Sequence, residues 1–252
     1  MPLSWLPMAL RALLWDVDGT LAETERDGHR RAFNRAFAER GLPLRWDARS
    51  YGRWLRIAGG AERIRAALAE LQQAEPDPAL VAALQASKQE HYAAQMAAGD
   101  LRLRPGVAGL IGEAAAAGLR QAIVTTSGRQ AVQALATRLL GGLAAPIELW
   151  VCGEDVARKK PDPEAYELAL GRLHLLPGAA LAIEDSPAGL TAATAAGVPC
   201  LLTLSHYSRS EPLQLFSAAR AVVSGLGRGG RVLRGPACPA GGITLSYLQS
   251  LR

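Results

Sequence analysis

Short apolar segments alternate with segments of helical periodicity from Pro105 onward, and this alternation restricts the folds open to the chain. Five apolar segments are predicted as strands: 120–124, 147–152, 180–183, 199–204 and 220–223. Four predicted helices accompany them: 107–117, 130–140, 163–174 and 190–196. Strands that alternate with helices indicate a parallel, doubly wound sheet. The sequence therefore predicts an α/β fold of this architecture.

One further apolar run, 10–15, lies near the start of the chain and ends abruptly in two carboxylates, Asp16 and Asp18. Polar groups also follow the later strands: residues 125–127, Lys160, and Glu184 with Asp185. In open parallel sheets, ligands bind beyond the carboxyl ends of the strands. We therefore expect these groups to meet at one edge of the sheet and to form a functional site.

The expected site is rich in carboxylates, which repel one another unless a cation lies among them. Oxygen ligands favour Mg²⁺ over Zn²⁺, and no cluster of Cys or His residues is seen in the sequence. A lysine and a hydroxyl at neighbouring strand ends suit the oxygens of a phosphoryl group. One aspartate could attack phosphorus to form an aspartyl-phosphate, and the second could transfer protons. Each motif alone is equally typical of a turn or a helix cap.

Residues 23–98 interrupt this pattern with a mainly helical insertion. Predicted helices cover 23–40, 61–73 and 78–98, and Gly41, Gly59 and Gly60 break the chain between them. We predict a core domain made of residues 9–22 and 99–252 and a second domain made of residues 23–98. Residues 225–242 are rich in glycine and proline and are predicted as loop, and the segment 243–251 is predicted as a strand or a short helix.

The composition excludes several classes of protein. The net charge is +5, but the chain has only three lysines, and its arginines are scattered without a basic block, which argues against nucleic-acid binding. No apolar run is long enough for a membrane span. The apolar start lacks a basic region and a cleavage site, so no signal peptide is predicted, and Met8 is an alternative start. Three widely spaced cysteines, Cys152, Cys200 and Cys238, predict reduced thiols.

Four motifs, DVDGT, TTS, KKPDP and IEDSPAG, match in order those of the haloacid dehalogenase superfamily of phosphotransferases. The insertion matches the position of that superfamily's helical cap. The segments AETERDGHRRAFNRAF, WDxxxYG and GGxERI resemble the CbbY-like branch of sugar-phosphate phosphatases. The resemblance covers about residues 10–224. It implies a HAD-like, Rossmannoid core with an α-helical cap (residues 23–98) and a phosphorylated sugar as substrate, with xylulose 1,5-bisphosphate as the expected one.

The resemblance also implies roles for the strand-end residues. Asp16 would be the nucleophile, and Asp18 the general acid and base, while Thr125 and Lys160 would hold the phosphate. The Mg²⁺ ligands would be Asp16, the backbone carbonyl of Asp18, Asp185 and, directly or through water, Glu184.

Substrate recognition is expected from the cap and from the loop after the second strand. Glu25 and His29 are four residues apart and are expected on one helix face that looks into the cleft. The full set of expected substrate-binding residues is Glu25, His29, Tyr51, Arg53, Arg56, Arg63, Thr126 and Ser127. Residues 21–24 are the expected hinge between core and cap. Ala61 replaces the lysine that the branch usually carries in GGKERI, so the substrate is left open.

Two alternatives to a phosphatase remain at this stage. A mutase of the β-phosphoglucomutase type has the same core motifs, and a non-catalytic binding protein would use the same fold. The expected protein is a monomer without nucleic-acid or membrane partners, located in the cytoplasm or, in a photosynthetic eukaryote, in the plastid stroma.

Overall fold

A computed structural model describes residues 9–99, 101–238 and 242–251. The strands are β1 (Ala12–Trp15), β2 (Arg120–Val124), β3 (Ile147–Val151), β4 (Ala180–Glu184), β5 (Cys200–Thr203), β6 (Ala221–Val223) and β7 (Val232–Arg234). Within these ranges they form one sheet in the order β3-β2-β1-β4-β5-β6-β7. Each neighbouring pair is parallel except β6 and β7. The predicted parallel, doubly wound architecture is confirmed.

The helices are α1 (Arg30–Glu39), α2 (Ala48–Trp54), α3 (Gly60–Gln72), α4 (Pro78–Ala98), α5 (Val107–Ala116), α6 (Arg129–Leu135), α7 (Glu164–Leu173), α8 (Pro187–Ala195) and α9 (Leu245–Gln249). A π-helical turn, Glu25–His29, precedes α1, and another, Ala136–Leu140, follows α6. No helix in the described ranges is long and apolar enough to cross a bilayer.

Both faces of the sheet are covered because successive side chains of a strand point to opposite faces. Leu13 and Trp15 of β1 belong to a buried apolar cluster with residues of α5, α6 and α9. Ala12 and Leu14 belong to a second cluster with residues of α7 and α8. A strand that is buried on both faces needs a continuous apolar run, and this need explains the sequence that precedes Asp16.

The cap helices α1 to α4 lie between β1 and α5 in the chain and share their own buried cluster. Phe33 and Phe37 of α1 pack against Trp46, with ring centroids 5.1 and 4.9 Å apart. Tyr207, in the loop after β5, packs against this cluster and contacts Tyr51. A loop of the core therefore packs against the cap.

The two segments that connect cap and core run beside each other. Ala22 and Leu103 form an antiparallel bridge. The backbone N–H of Arg104 donates a hydrogen bond to the carbonyl of Leu21 at 2.8 Å. Because this pairing involves so few residues, the segment is a suitable place for rotation of the cap, and the hinge remains a prediction.

Several sequence-based expectations differ from the structure. The segment 225–242 contains β7, which the prediction of a loop missed because a three-residue edge strand among glycines has no alternating apolar pattern. The prediction left α2 out, although Asp47 caps it by accepting a hydrogen bond from the N–H of Ser50. For the closing segment, the second of the two predicted alternatives, a short helix, is confirmed as α9. Residues 239–241 and the choice between Met1 and Met8 lie outside the described residues.

Candidate active site

The register of the sheet aligns the residues at the carboxyl ends of neighbouring strands. Trp15, the last residue of β1, pairs with Ile123 of β2 on one side and with Ile183 of β4 on the other. The residues that follow, Asp16, Val124 and Glu184, therefore lie side by side at the carboxyl edge of the sheet. The topology therefore brings the polar strand ends together at one edge of the sheet, as the sequence predicted.

Three carboxylates meet at this edge and are called the carboxylate cluster here: Asp16, Glu184 and Asp185. One oxygen from each of the three lies within 4.8 Å of the other two, and all three side chains are buried. Two glycines make room for them. A Cβ on Gly19 would lie 2.1 Å from Oδ2 of Asp185, and a Cβ on Gly189 would lie 1.8 Å from Oε2 of Glu184. Any side chain at either position would displace a carboxylate.

Lys160 contacts the carboxylate cluster from the loop between β3 and α7. Its Nζ donates to Oδ1 of Asp16 at 2.9 Å, to Oε1 of Glu184 at 2.5 Å and to the carbonyl of Val124 at 2.7 Å. The hydroxyl of Tyr166 in α7 also donates to Oε1 of Glu184. All three donor positions of the ammonium are used, so Lys160 is held in one orientation.

The carboxylate cluster retains unsatisfied negative charge. Oδ2 of Asp16 and Oε2 of Glu184 are buried and accept no hydrogen bond from any described residue. Burial and the charge of Glu184 raise the pKa of Asp16 to about 7, despite the opposing effect of Lys160. Burial and Asp16 raise the pKa of Asp185 well above its ordinary value. Oxygen donors that repel one another and lack partners suit a hard divalent cation.

The Asp18 side chain points away from the cluster and toward the cap. Oδ1 accepts hydrogen bonds from the hydroxyl of Thr24 and is 2.9 Å from Nε2 of His29, and Oδ2 accepts from the hydroxyl of Ser127. Burial acts to raise the pKa of Asp18, but His29 and these hydrogen bonds outweigh it and hold the pKa well below its ordinary range. The Asp18 carboxylate therefore links the end of β1 to the cap and to the loop that follows β2, called the β2 loop here.

The β2 loop is folded by its own hydroxyls. The side chain of Thr125 is buried, and its Oγ1 accepts a hydrogen bond from the backbone N–H of Ser127 at 3.1 Å. Thr126 and Ser127 line a narrow cavity beneath the cap, which we call the cap cavity. From the cap it is lined by Glu25, His29, Arg63, Gln85 and Lys88. With a volume of about 40 Å³ it holds a few water molecules but no sugar, so the cap is closed.

Glu25 and Arg63 form a buried pair in the wall of the cap cavity. Nη1 of Arg63 donates to Oε1 and Oε2 of Glu25 at 3.1 and 3.2 Å, and to the hydroxyl of Tyr51 at 2.9 Å. Tyr51 in turn donates to Glu25. Tyr51 is fully buried and does not line the cavity, so in the closed form it positions Glu25 rather than facing a ligand.

Two of the expected substrate-binding residues lie elsewhere. Arg53 in α2 and Arg56 in the following turn are exposed and do not line the cap cavity. The helix α2 packs with Tyr51 inward, which turns its arginines toward solvent. Ala61 packs against the apolar cluster of the cap.

Comparison with known proteins agrees with this geometry. Residues 10–197 match the family of haloacid dehalogenase-like hydrolases. The chain belongs to this family. It is 46% identical to the protein CbbY of Rhodobacter capsulatus over 213 residues, which cover 84% of this chain and 92% of the relative. It is 32% identical to the phosphoglycolate phosphatase of Yersinia pseudotuberculosis over 205 residues, or 81% of this chain and 85% of the relative.

A solved structure is also similar to this hydrolase. It is that of a CbbY mutant from Rhodobacter sphaeroides in complex with xylulose 1,5-bisphosphate. The TM-score is 0.79 and the identity 41%, with coverage of 86% of this chain and 94% of the other.

Sequence-based reasoning missed three residues of the hydrolase site: Tyr166, Gln85 and Lys88. A signal for Lys88 was available. The buried positions of α4 include Leu84, Lys88 and Tyr92, which follow one another at intervals of four, so a lysine stands on the apolar face of the helix. In a chain with three lysines, this placement is informative. Tyr166 has no comparable signal, because an aromatic residue on a buried helix face is ordinary.

Proposed function

We propose that this hydrolase is a Mg²⁺-dependent sugar-phosphate phosphatase that acts on xylulose 1,5-bisphosphate through an aspartyl-phosphate intermediate. The observation that carries the proposal is the placement of Asp16. Its Oδ2 has no partner among the described residues, while Oδ1 is fixed by Lys160. A carboxylate held in this way presents one free oxygen as a nucleophile.

The groups around Asp16 fit phosphoryl transfer. Lys160 carries a positive charge at the oxygen that is not attacking, and the hydroxyls of Thr125 and Ser127 lie on the adjacent strand end. Lys160 and Ser127 already donate to protein acceptors, so a bound phosphoryl group would replace some of these acceptors, and the donors would then hold its oxygens as charge develops on them. Glu184, Asp185, one oxygen of Asp16 and the backbone carbonyl of Asp18 would hold Mg²⁺, which would supply further positive charge to the phosphoryl group.

Asp18 would transfer the protons of the reaction. Its low pKa keeps it ionised in the closed form, and it is ready to accept a proton from the water that attacks the aspartyl-phosphate. Before Asp18 can donate a proton to the leaving oxygen, it must take one up from solvent, which requires the hydrogen bonds from Thr24, His29 and Ser127 to rearrange so that its pKa rises. Because Thr24 and His29 belong to the cap, cap movement would control this step.

The choice of substrate is supported by similarity to CbbY, one structure of which contains xylulose 1,5-bisphosphate. It is also supported by the polar cap cavity, in which Glu25 and His29 are suited to sugar hydroxyls. The small volume of the closed cavity requires the cap to open before a bisphosphate can enter.

Release of orthophosphate from a panel of sugar mono- and bisphosphates in the presence of Mg²⁺ tests the proposal. We expect the highest kcat/KM for xylulose 1,5-bisphosphate, and a loss of at least about 10⁴-fold in Asp16→Asn, because the nucleophile is removed. Glu75→Gln, at an exposed position, is the matched control. Turnover of Asp16→Asn near that of the control would refute the mechanism.

The same panel separates the alternatives. Isomerisation of glucose 1-phosphate in the presence of a bisphosphate primer, without net release of phosphate, would identify a mutase. The absence of both activities would identify a binding protein.

A further inference from the structure

Lys88 is a buried cation that lacks an acidic partner. Its side chain is 5% exposed and lines the cap cavity from α4. Among the described residues, no carboxylate lies within ion-pair distance of its Nζ, and no hydrogen-bond acceptor contacts it. The ammonium lies 4.9 Å from the ring centroid of Phe33 and 5.5 Å from that of Tyr92.

The aromatic rings alone do not balance this burial. A cation–π contact is weaker than the cost of removing an ammonium from water. Burial lowers the pKa of Lys88 to about 8, even though the charges of Glu25 and Asp18 act in the opposite direction. The Glu25 carboxylate is already paired with Arg63 and Tyr51. Glu25 and Asp18 therefore lie near enough to act on Lys88, but no acidic side chain among the described residues forms an ion pair with it.

Two more unpartnered polar atoms belong to residues that line the same cavity. Oε1 of Gln85 is buried and accepts no hydrogen bond from the described residues. Nδ1 of His29 is buried and also lacks a partner among them. Gln85 and Lys88 are three residues apart on α4 and share one helix face. An ammonium, a carbonyl oxygen and a ring nitrogen without partners match a ligand that carries an anion and hydroxyl groups.

We propose that Lys88 binds the second anionic group of the substrate, the one remote from the reacting phosphate, and so selects bisphosphates over monophosphates. This inference rests on the proposed function. It assigns to α4 the cationic contact that Ala61 cannot make and that exposed Arg53 and Arg56 do not make in the closed form. Gln85 accepts a hydrogen bond from a substrate hydroxyl beside it.

The test compares substrates that differ by one phosphate. Values of kcat/KM are measured for xylulose 1,5-bisphosphate and for the two monophosphates of the same sugar. We expect Lys88→Met to lower the value for the bisphosphate about 10²-fold, because a desolvated charge pair is lost. The values for the monophosphates should change by less than about 3-fold, because they lack the group that Lys88 contacts. Arg53→Met is the matched control.

If Lys88 only stabilised the fold, its substitution would lower the Tm and reduce activity on all substrates alike. We expect instead that Met packs against Phe33 and Tyr92, so Lys88→Met should keep or raise the Tm. Lys88→Gln removes the charge while keeping a polar end, and its selectivity should change in the same way. An equal loss of activity on all three substrates in both variants, or no loss in either, would overturn the proposal.

Failure of the proposed function is distinguishable from failure of this inference. If the wild-type protein does not hydrolyse the bisphosphate, the proposed function fails. Calorimetry then measures binding of xylulose 1,5-bisphosphate to Asp16→Asn and to Asp16→Asn/Lys88→Met. Binding about 10²-fold weaker in the double variant supports the role of Lys88. Equal binding to the two proteins, or binding to neither, overturns it.

Discussion

The carboxylate cluster and the cap cavity both bury charged side chains, but their charges are unbalanced in opposite directions. In the cluster, three carboxylates face one ammonium, that of Lys160. In the cavity wall, one carboxylate, that of Glu25, faces two cations, Arg63 and Lys88. In the first region, acidic groups in direct contact outnumber the cation that they face, and in the second, the cation Lys88 has no acidic side chain in direct contact among the described residues.

This difference assigns the reacting phosphate to the sheet and the remote end of the substrate to the cap. In the proposed function, the carboxylates at the sheet edge would hold a metal ion, which would attract the reacting phosphate. Excess positive charge in the cap attracts the remote end of the substrate. A substrate with two anionic groups would neutralise both halves when the cap closes, whereas a monophosphate would satisfy only one.

Among the substitutions of cations, removal of Lys160, which forms ion pairs with Asp16 and Glu184, should produce the largest effect. We expect Lys160→Met to lower kcat about 10³-fold, because the charge that faces the phosphoryl oxygens is lost. The carboxylates of Asp16 and Glu184 would lose their common partner, so the metal-free protein should also be less stable. Kinetics and thermal unfolding measure both effects. A fall of less than about 10-fold in kcat would show that the charge balance of the cluster is not catalytic.

The negative excess of the cluster should also appear as a pH dependence of stability. The folded-state pKa of Asp16 is about 7, above the value in an unfolded chain. Between these two values the folded protein keeps a proton that the unfolded chain has released, so stability falls as pH rises toward 7. Thermal unfolding in EDTA should show this fall between about pH 5 and about pH 7.

A variant and added Mg²⁺ test whether the carboxylate cluster causes this pH dependence. Asp16→Asn should flatten the slope because it removes the titrating group. Mg²⁺ at about pH 7.5 should raise the Tm of the wild type, because it binds only the folded cluster. An equal slope in Asp16→Asn, or no effect of Mg²⁺, would contradict the assignment of the negative excess to this site.

In the cap, substitution of a buried arginine should lower kcat/KM much more than substitution of an exposed one. Arg63→Met leaves Glu25 buried with only Tyr51 as a partner, and we expect kcat/KM to fall about 30-fold. Arg53→Met removes an exposed charge outside the cavity and should change it by less than about 2-fold. Similar losses in the two variants would place the cationic contact on the cap surface instead of in the cavity.

A small effect is also expected where core and cap meet at the surface. Lys159, next to Lys160 in the chain, forms an ion pair with Glu62 of α3. Both side chains are partly exposed, so Lys159→Met or Glu62→Gln should alter kcat/KM by less than about 3-fold. A loss as large as that of Lys160→Met would mean that this pair holds the cap closed, and steady-state kinetics of both variants decides it.

Much of the carboxylate cluster could be predicted from sequence because strand ends are local features. Asp16, Glu184 and Lys160 follow apolar runs or stand in recognisable loops, and the parallel topology alone brings them together. The cap could not be predicted as well. Whether Arg53 or Lys88 faces the cavity depends on how α2 and α4 rotate against their neighbours. That rotation is set by packing between distant segments, which periodicity within one helix does not reveal.

The pairing of Ala22 with Leu103 and the small volume of the cap cavity together impose a kinetic limit. We expect substrate to enter and product to leave only when the cap opens at the predicted hinge, so every turnover should contain at least one opening and one closing. The turnover number cannot exceed the opening rate, however fast the chemistry at Asp16 becomes. Substitutions that loosen the pairing of these two segments would therefore accelerate an enzyme limited by product release and slow one limited by chemistry.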